Sequence, residues 1–146
     1  MEIERKFLVD KIPTLHGLDF HEITQAYISV NPEVRVRKKG DKYYRTEKGE
    51  GAMVREENEW KITKEEYEAG VKACDGRMLE KTRYYIPCGA HTIELDIYKG
   101  RHKGLVVCEI EFESEYDALS FAVPEWFGKE ITHDIAFRNK ILALTP

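Results

Sequence analysis

The chain has 146 residues, 42% of them hydrophobic and 34% charged, with 27 acidic against 23 basic residues and a net charge of −4. That length suits one domain spanning 1–146 with a real core, and the charge balance excludes a simple nucleic-acid binder, which tilts basic. Cys74, Cys88 and Cys108 are odd in number and widely spaced. They form neither a disulfide framework nor a zinc pattern and read as reduced thiols. A charged N-terminus and the lack of any apolar run of transmembrane length point to a cytoplasmic protein with no membrane partner.

Turn signals cut the chain into strand-length pieces at 2–9, 22–30, 33–39, 42–48, 53–62, 78–86, 91–98 and 105–113. Gly40-Asp41, between EVRVRKK and KYYRTEK, predicts a tight hairpin turn. KGEG after the fourth piece reads as a turn or a gate, and TKEEYEAGVKAC as a helix with Thr63 as N-cap and Glu66 completing a capping box. PCGAH and KGRHKG join later strands, SEYDALSFAV repeats the capping device with Ser114 and Asp117, and FRNKILAL closes the chain with a short helix. Eight strands with antiparallel connections predict a mainly β, α+β fold: a closed eight-stranded antiparallel barrel with a few covering helices.

Side chains alternate faces along a strand, so residues two apart share a side. On that basis EIERK aligns Glu2, Glu4 and Lys6, and VRVR aligns Arg35 and Arg37. RTEK puts Lys48 with Thr46, and VREENEW aligns Arg55, Glu57 and Glu59. EKTRY pairs Lys81 with Arg83, IELDI pairs Glu94 with Asp96, and CEIEF pairs Glu109 with Glu111. A solvated strand face is the ordinary explanation of any one of these. The set differs from ordinary surfaces because its charges come in like-signed pairs. Neighbours about 6.6 Å apart repel by roughly 2.5 kcal/mol at an effective dielectric near 20. Water screens that repulsion on a surface, whereas a confined site needs ligands of opposite charge. The alternate residues are aliphatic or aromatic, so helices can cover them from outside while the charged face lines the lumen. Clustered carboxylates without Cys or His suit Mg²⁺ or Mn²⁺, and clustered Arg and Lys suit a polyphosphate.

EIERK, QAYI, VRVR, TEKGEG, REENEW, EKTRY, ELDIY, EIEF, WFGKEIT and FRNKILA follow one another over nearly the whole chain. In that series the chain resembles the CYTH superfamily, the triphosphate tunnel metalloenzymes, and most of all their short single-domain bacterial members. The resemblance implies a metal-dependent hydrolase that cleaves inorganic triphosphate to diphosphate and phosphate, acting as a monomer or homodimer. It implies that Glu2, Glu4, Glu109 and Glu111 bind metal, with Glu94 and Asp96 joining or supporting them. Lys6, Arg35, Arg37, Lys48, Arg55, Lys81 and Arg83 would grip the triphosphate, with Glu57 and Glu59 orienting Arg55 or touching metal. Tyr27 and Lys6 would handle protons, and Arg138 on the last helix would close one end of the tunnel. Arg45 and Glu47 depart from the family pattern on the face assigned outward. Either that stretch of wall is solvated or the strand faces the other way.

His16, His21, His91, His102 and His133 are scattered without ligand spacing, and Trp60, Trp126 and Phe127 read as covering core. Hydrolysis of thiamine triphosphate or a nucleoside triphosphate, cyclisation of ATP, and polyphosphate binding without cleavage remain the alternative functions.

Overall fold

The computed structural model describes residues 3–49 and 57–144. Glu2, Arg55 and the second half of KGEG, Glu50 and Gly51, lie outside them. The chain packs as two compact units, one of Met1–His21 with Lys81–Ile135 and the other of Glu22–Glu80 with Ala136–Pro146.

The strands are β1 (Ile3–Val9), β2 (Phe20–Val30), β3 (Glu33–Lys39), β4 (Lys42–Lys48), β5 (Glu57–Lys61), β6 (Met78–Cys88), β7 (His91–Lys99), β8 (Val106–Phe112) and β9 (Phe127–Glu130). The helices are α1 (Lys64–Ala73), α2 (Glu115–Ser120) and α3 (Asn139–Leu144). In the first unit the order is β6-β7-β8-β1-β9, and in the second β5-β4-β3-β2. The expected closed eight-stranded barrel is therefore corrected on two counts. Nine strands form, the ninth inside WFGKEIT, where only four residues pair with β1 across a bulge. The ladder is also not closed by hydrogen bonds, because among the described residues β5 pairs with β4 alone and β9 with β1 alone.

Strict alternation sorts the residues between two faces. In the first unit Phe7, Ile93, Leu95, Cys108, Ile110 and Phe112 form a buried cluster, with Trp126 and Phe127 packed against it. In the second, Ala26, Val36, Tyr67 and Cys74 form another, placing α1 over β3 and β4. The capping box starts α1 as the sequence predicts: Glu66 N donates to Thr63 Oγ1 and Thr63 N to Glu66 Oε1, each at 3.1 Å. Trp60 departs from the core reading. It is 42% exposed on β5, opposite Arg45 of β4. Arg45 Nε donates to Glu47 Oε2 at 2.8 Å, so the outward pair on β4 forms a partly exposed ion pair beside Trp60. The outward assignment of that strand holds, since Thr46 between them is buried on the other face.

Helix α1 approaches β3 closely because position 70 has no side chain. A Cβ there would lie 2.8 Å from Val36 Cγ2. We expect Gly70→Val to overpack that contact and destabilise the protein by about 1–3 kcal/mol, read as a lower thermal midpoint. An unchanged midpoint would show that α1 shifts without cost.

Candidate active site

On the first unit, antiparallel register arranges the charged residues into rows. Lys6 of β1 stands opposite Glu109 of β8, which stands opposite Glu94 of β7. One step along, Glu4 faces Glu111. Strands β1, β7 and β8 thus bring Glu4, Lys6, Glu94, Asp96, Glu109 and Glu111 to one face, away from the Phe7–Leu95–Ile110 core.

Lys81 and Arg83 of β6 reach the same carboxylate. Lys81 Nζ donates to Asp96 Oδ2 at 2.8 Å, and Arg83 donates through Nε to Oδ1 at 2.8 Å and through Nη2 to Oδ2 at 2.9 Å. Arg83 Nη1 also donates to Glu94 Oε2 at 3.2 Å. Lys81 is 1% exposed and lies 5.5 Å from the centre of the Tyr98 ring. Burial lowers its pKa to about 8 despite Asp96. Burial pushes the Asp96 carboxyl upward, but Lys81 and Arg83 outweigh that and hold it well below the usual carboxylate range. Both Asp96 oxygens are occupied, which makes this carboxylate the counter-charge that keeps two buried cations in place.

Glu109 behaves in the opposite way. Burial pushes the Glu109 carboxyl up to about 7, and a hydrogen bond and charge repulsion from Glu4 add to it. Two carboxylates this close cannot both ionise cheaply. Lys6 beside them has a pKa lowered by burial, which the charges of Glu109, Asp96 and Glu4 only partly offset. Its backbone is gripped from both sides: Lys6 N donates to Thr132 Oγ1 at 3.1 Å, and Ile131 N donates to Lys6 O at 2.8 Å.

On the second unit Gln25 and Tyr27 of β2 share a face with Arg35 and Arg37 of β3 and Thr46 of β4. Tyr27 is buried, accepts a hydrogen bond from Gln25 Nε2 at 3.1 Å, and has its pKa raised by burial to about 12. At neutral pH it is a phenol and can donate a hydrogen bond. Arg37 Nη2 donates to Glu59 Oε1 at 3.2 Å, and Arg37 stacks over Tyr44 at 5.6 Å. Glu57, exposed, stands opposite Lys48. Arg138 is exposed at the boundary of α3 rather than within it, its carbonyl accepting from the N–H groups of Ile141 and Leu142 at 2.9 Å.

Three further residues shape these faces and are absent from the sequence-based set. Glu33 is 5% exposed and pairs with both Arg35 and Lys48. Arg77 holds the Tyr27 backbone, donating through Nε to Tyr27 O at 3.1 Å and through Nη2 to Ile28 O at 2.8 Å, while its own carbonyl accepts from Tyr27 N. This grip sits where the β2–β3 register slips, between Tyr27 and Ser29. Gln25 is the third. Strand parity was a signal for Glu33 and Gln25, each two residues from a site residue, whereas Arg77 sits in a turn that parity does not reach.

A mainly antiparallel β chain whose strand faces carry like-signed charged pairs in this order is the pattern of the CYTH domain, which matches residues 1–134. The chain belongs to the CYTH family. It is 40% identical to an inorganic triphosphatase of Nitrosomonas europaea, over 99% of this chain and 97% of that protein. It is 34% identical to an inorganic triphosphatase of Acetivibrio thermocellus, over 99% and 94%. A crystal structure of an inorganic triphosphatase matches with a TM-score of 0.84 at 37% identity, covering 100% of this chain and 96% of that one. No helix among the described residues is long and apolar enough to cross a membrane.

The raised Glu109 pKa has a stability consequence. Above the ordinary value of 4.5 the unfolded chain releases this proton while the folded chain keeps it until about pH 7. Stability from this group is therefore lost as pH rises across that window. In chelator, Glu109→Gln should melt higher than the unmodified protein at pH 8, by more than at pH 5. A difference that does not grow with pH would contradict the crowding of Glu4 and Glu109.

Proposed function

We propose that this protein hydrolyses inorganic triphosphate to diphosphate and phosphate with the help of a divalent cation, Mg²⁺ or Mn²⁺. The observation that carries the reading is the single strand face on which Glu4, Glu94, Glu109 and Glu111 stand with Lys6, where burial and Glu4 push the Glu109 carboxyl up. Full-length similarity to two proteins named inorganic triphosphatase supports the choice of substrate.

The donor set fits the cation. It is all oxygen, as hard divalent ions require, and the upward shift of the Glu109 carboxyl marks a place where positive charge is favoured. Among the described residues no three acidic, Cys or His side chains are gathered into a ready cage. That accords with Mg²⁺, which commonly takes one or two carboxylates and completes its shell with water and phosphate oxygens. Glu4 and Glu109 would hold the ion, with Glu111, Glu94 and Glu2 as the further carboxylates of the set. Bound there, it would offset phosphate charge and acidify a water molecule.

The chain's own residues supply the rest. Arg83 and Lys81, fixed by Asp96, present buried positive charge to phosphate oxygens. Arg35, Arg37, Lys48 and Arg55 bind phosphate in the same way, with Glu59 orienting Arg37 and Glu57 standing beside Lys48. Tyr27 donates a hydrogen bond. Lys6, held by Thr132 and Ile131, is placed to take the proton of the attacking water as the phosphoanhydride bond breaks and diphosphate leaves. Arg138, exposed beside α3, would close one end of the tunnel.

Phosphate release from inorganic triphosphate, thiamine triphosphate and ATP, each with Mg²⁺, with Mn²⁺ and with chelator, tests the reading. We expect release from inorganic triphosphate that chelator abolishes. Glu111→Gln should reduce turnover at least tenfold with the fold intact, Arg37→Ala should raise KM, and His102→Ala should change neither. Preference for an organic triphosphate would overturn the substrate assignment. Tight triphosphate binding without turnover would make the chain a polyphosphate-binding protein.

A further inference from the structure

Glu33 is a buried carboxylate for which packing alone gives no reason. It opens β3 in the segment NPEVRVR, two residues before Arg35 and therefore on the same strand face. Val34 is opposite Glu47, and one step further in that register brings Glu33 opposite Lys48. Its Oε2 accepts from Arg35 Nη1 and lies 3.6 Å from Lys48 Nζ. One carboxylate oxygen thus ties together two cations from neighbouring strands.

The charge count and the donor count point the same way. Two cations against one anion leave the trio with one net positive charge. A buried ion is costly unless paired, so Glu33 is tolerated because its partners exceed it in charge. Arg35 uses Nη1 on Glu33, while its buried Nε has no hydrogen-bond partner among the described residues. A guanidinium carries five donors in a rigid fork, and orienting one edge of the fork on Glu33 aims the others. The buried Nε–H thus points where none of the described residues supplies an acceptor, and a phosphate oxygen is such an acceptor.

We propose that Glu33 is a positioning residue for triphosphate binding: it locks Arg35 and Lys48 into one phosphate-binding unit and leaves Arg35 Nε directed at the substrate. The assignment rests on the triphosphatase reading above. It gives Glu33 no contact with the reacting atoms, so its effect falls on binding rather than on turnover.

The full chain with Mg²⁺ and inorganic triphosphate provides the test, in parallel with Glu33→Gln, Glu33→Asp, Arg35→Ala and the Glu33→Gln/Arg35→Ala double variant. Gln can keep an oxygen at the Oε2 position but loses the negative charge that holds both cations, so KM should rise about fivefold or more, with kcat within about threefold. Asp keeps the charge on a shorter arm and should raise KM less. Because Glu33 acts through Arg35, the double variant should be weaker than the product of the single effects predicts. An unchanged or lowered KM in Glu33→Gln, or full additivity with Arg35→Ala, would overturn the assignment. Should Glu33→Gln fail to fold, Glu33→Asp decides by the same criterion: a raised KM at near-normal kcat supports it, and an unchanged KM overturns it. The unmodified protein separates the two claims. If it neither binds nor cleaves triphosphate, the functional reading fails and this one falls with it. If it does both and the variants match it, this one alone fails.

Discussion

Like charges two residues apart on a strand must be balanced, and most of the site follows from how each pair is treated. Lys81 and Arg83 share Asp96, which accepts three hydrogen bonds from them. Arg35 and Lys48 share Glu33. In both cases one buried acid answers two cations; Arg83 has Glu94 as a second partner, so the excess positive charge lies at Arg35 and Lys48. The Glu109 carboxyl, crowded by Glu4, is instead pushed up to about 7, although Lys6 and Arg83 stand near it. The Arg35–Lys48 cluster is therefore primed for an anion and the carboxylates around Glu109 for a cation. Neither preference comes from net charge, which is only −4 for the chain.

Precision in such faces depends on the apolar side of the same strands. On β7 and β8 the charged positions alternate with Ile93, Leu95, Cys108, Ile110 and Phe112 of one cluster, and on β3 Val36 of the other stands between Arg35 and Arg37. A slip of one residue would exchange the two faces completely, so core packing fixes where each charge stands. Backbone grips refine this at two candidate proton-handling positions. Arg77 clamps the bulge at Tyr27, and the segment around Ile131 brackets Lys6.

Period-two patterning made much of this legible in the sequence. EVRVRKK and KYYRTEK form strands at the expected limits, and TKEEYEAGVKAC forms the capped helix. What sequence patterning missed depends on contacts distant along the chain or on context beyond one strand. FGKE is too short to announce itself, and it becomes a strand only where it meets β1. Trp60 looked like core because tryptophan usually is, yet it lies on β5, which pairs on one side only among the described residues. Asp96 and Glu109 are the same kind of residue in the same kind of motif. Burial pushes both carboxyls up; Lys81 and Arg83 of β6 reverse that at Asp96, whereas Glu4 of β1 adds to it at Glu109.

The central claim, that the crowded carboxylates Glu4 and Glu109 form a cation site, is tested most directly by crystals grown with Mn²⁺ and inorganic triphosphate and measured at a wavelength where manganese scatters anomalously. The account predicts an anomalous peak coordinated by carboxylate oxygens of both Glu4 and Glu109. A structure with triphosphate bound, no manganese at either residue, and the two carboxylates still hydrogen-bonded to each other would contradict it.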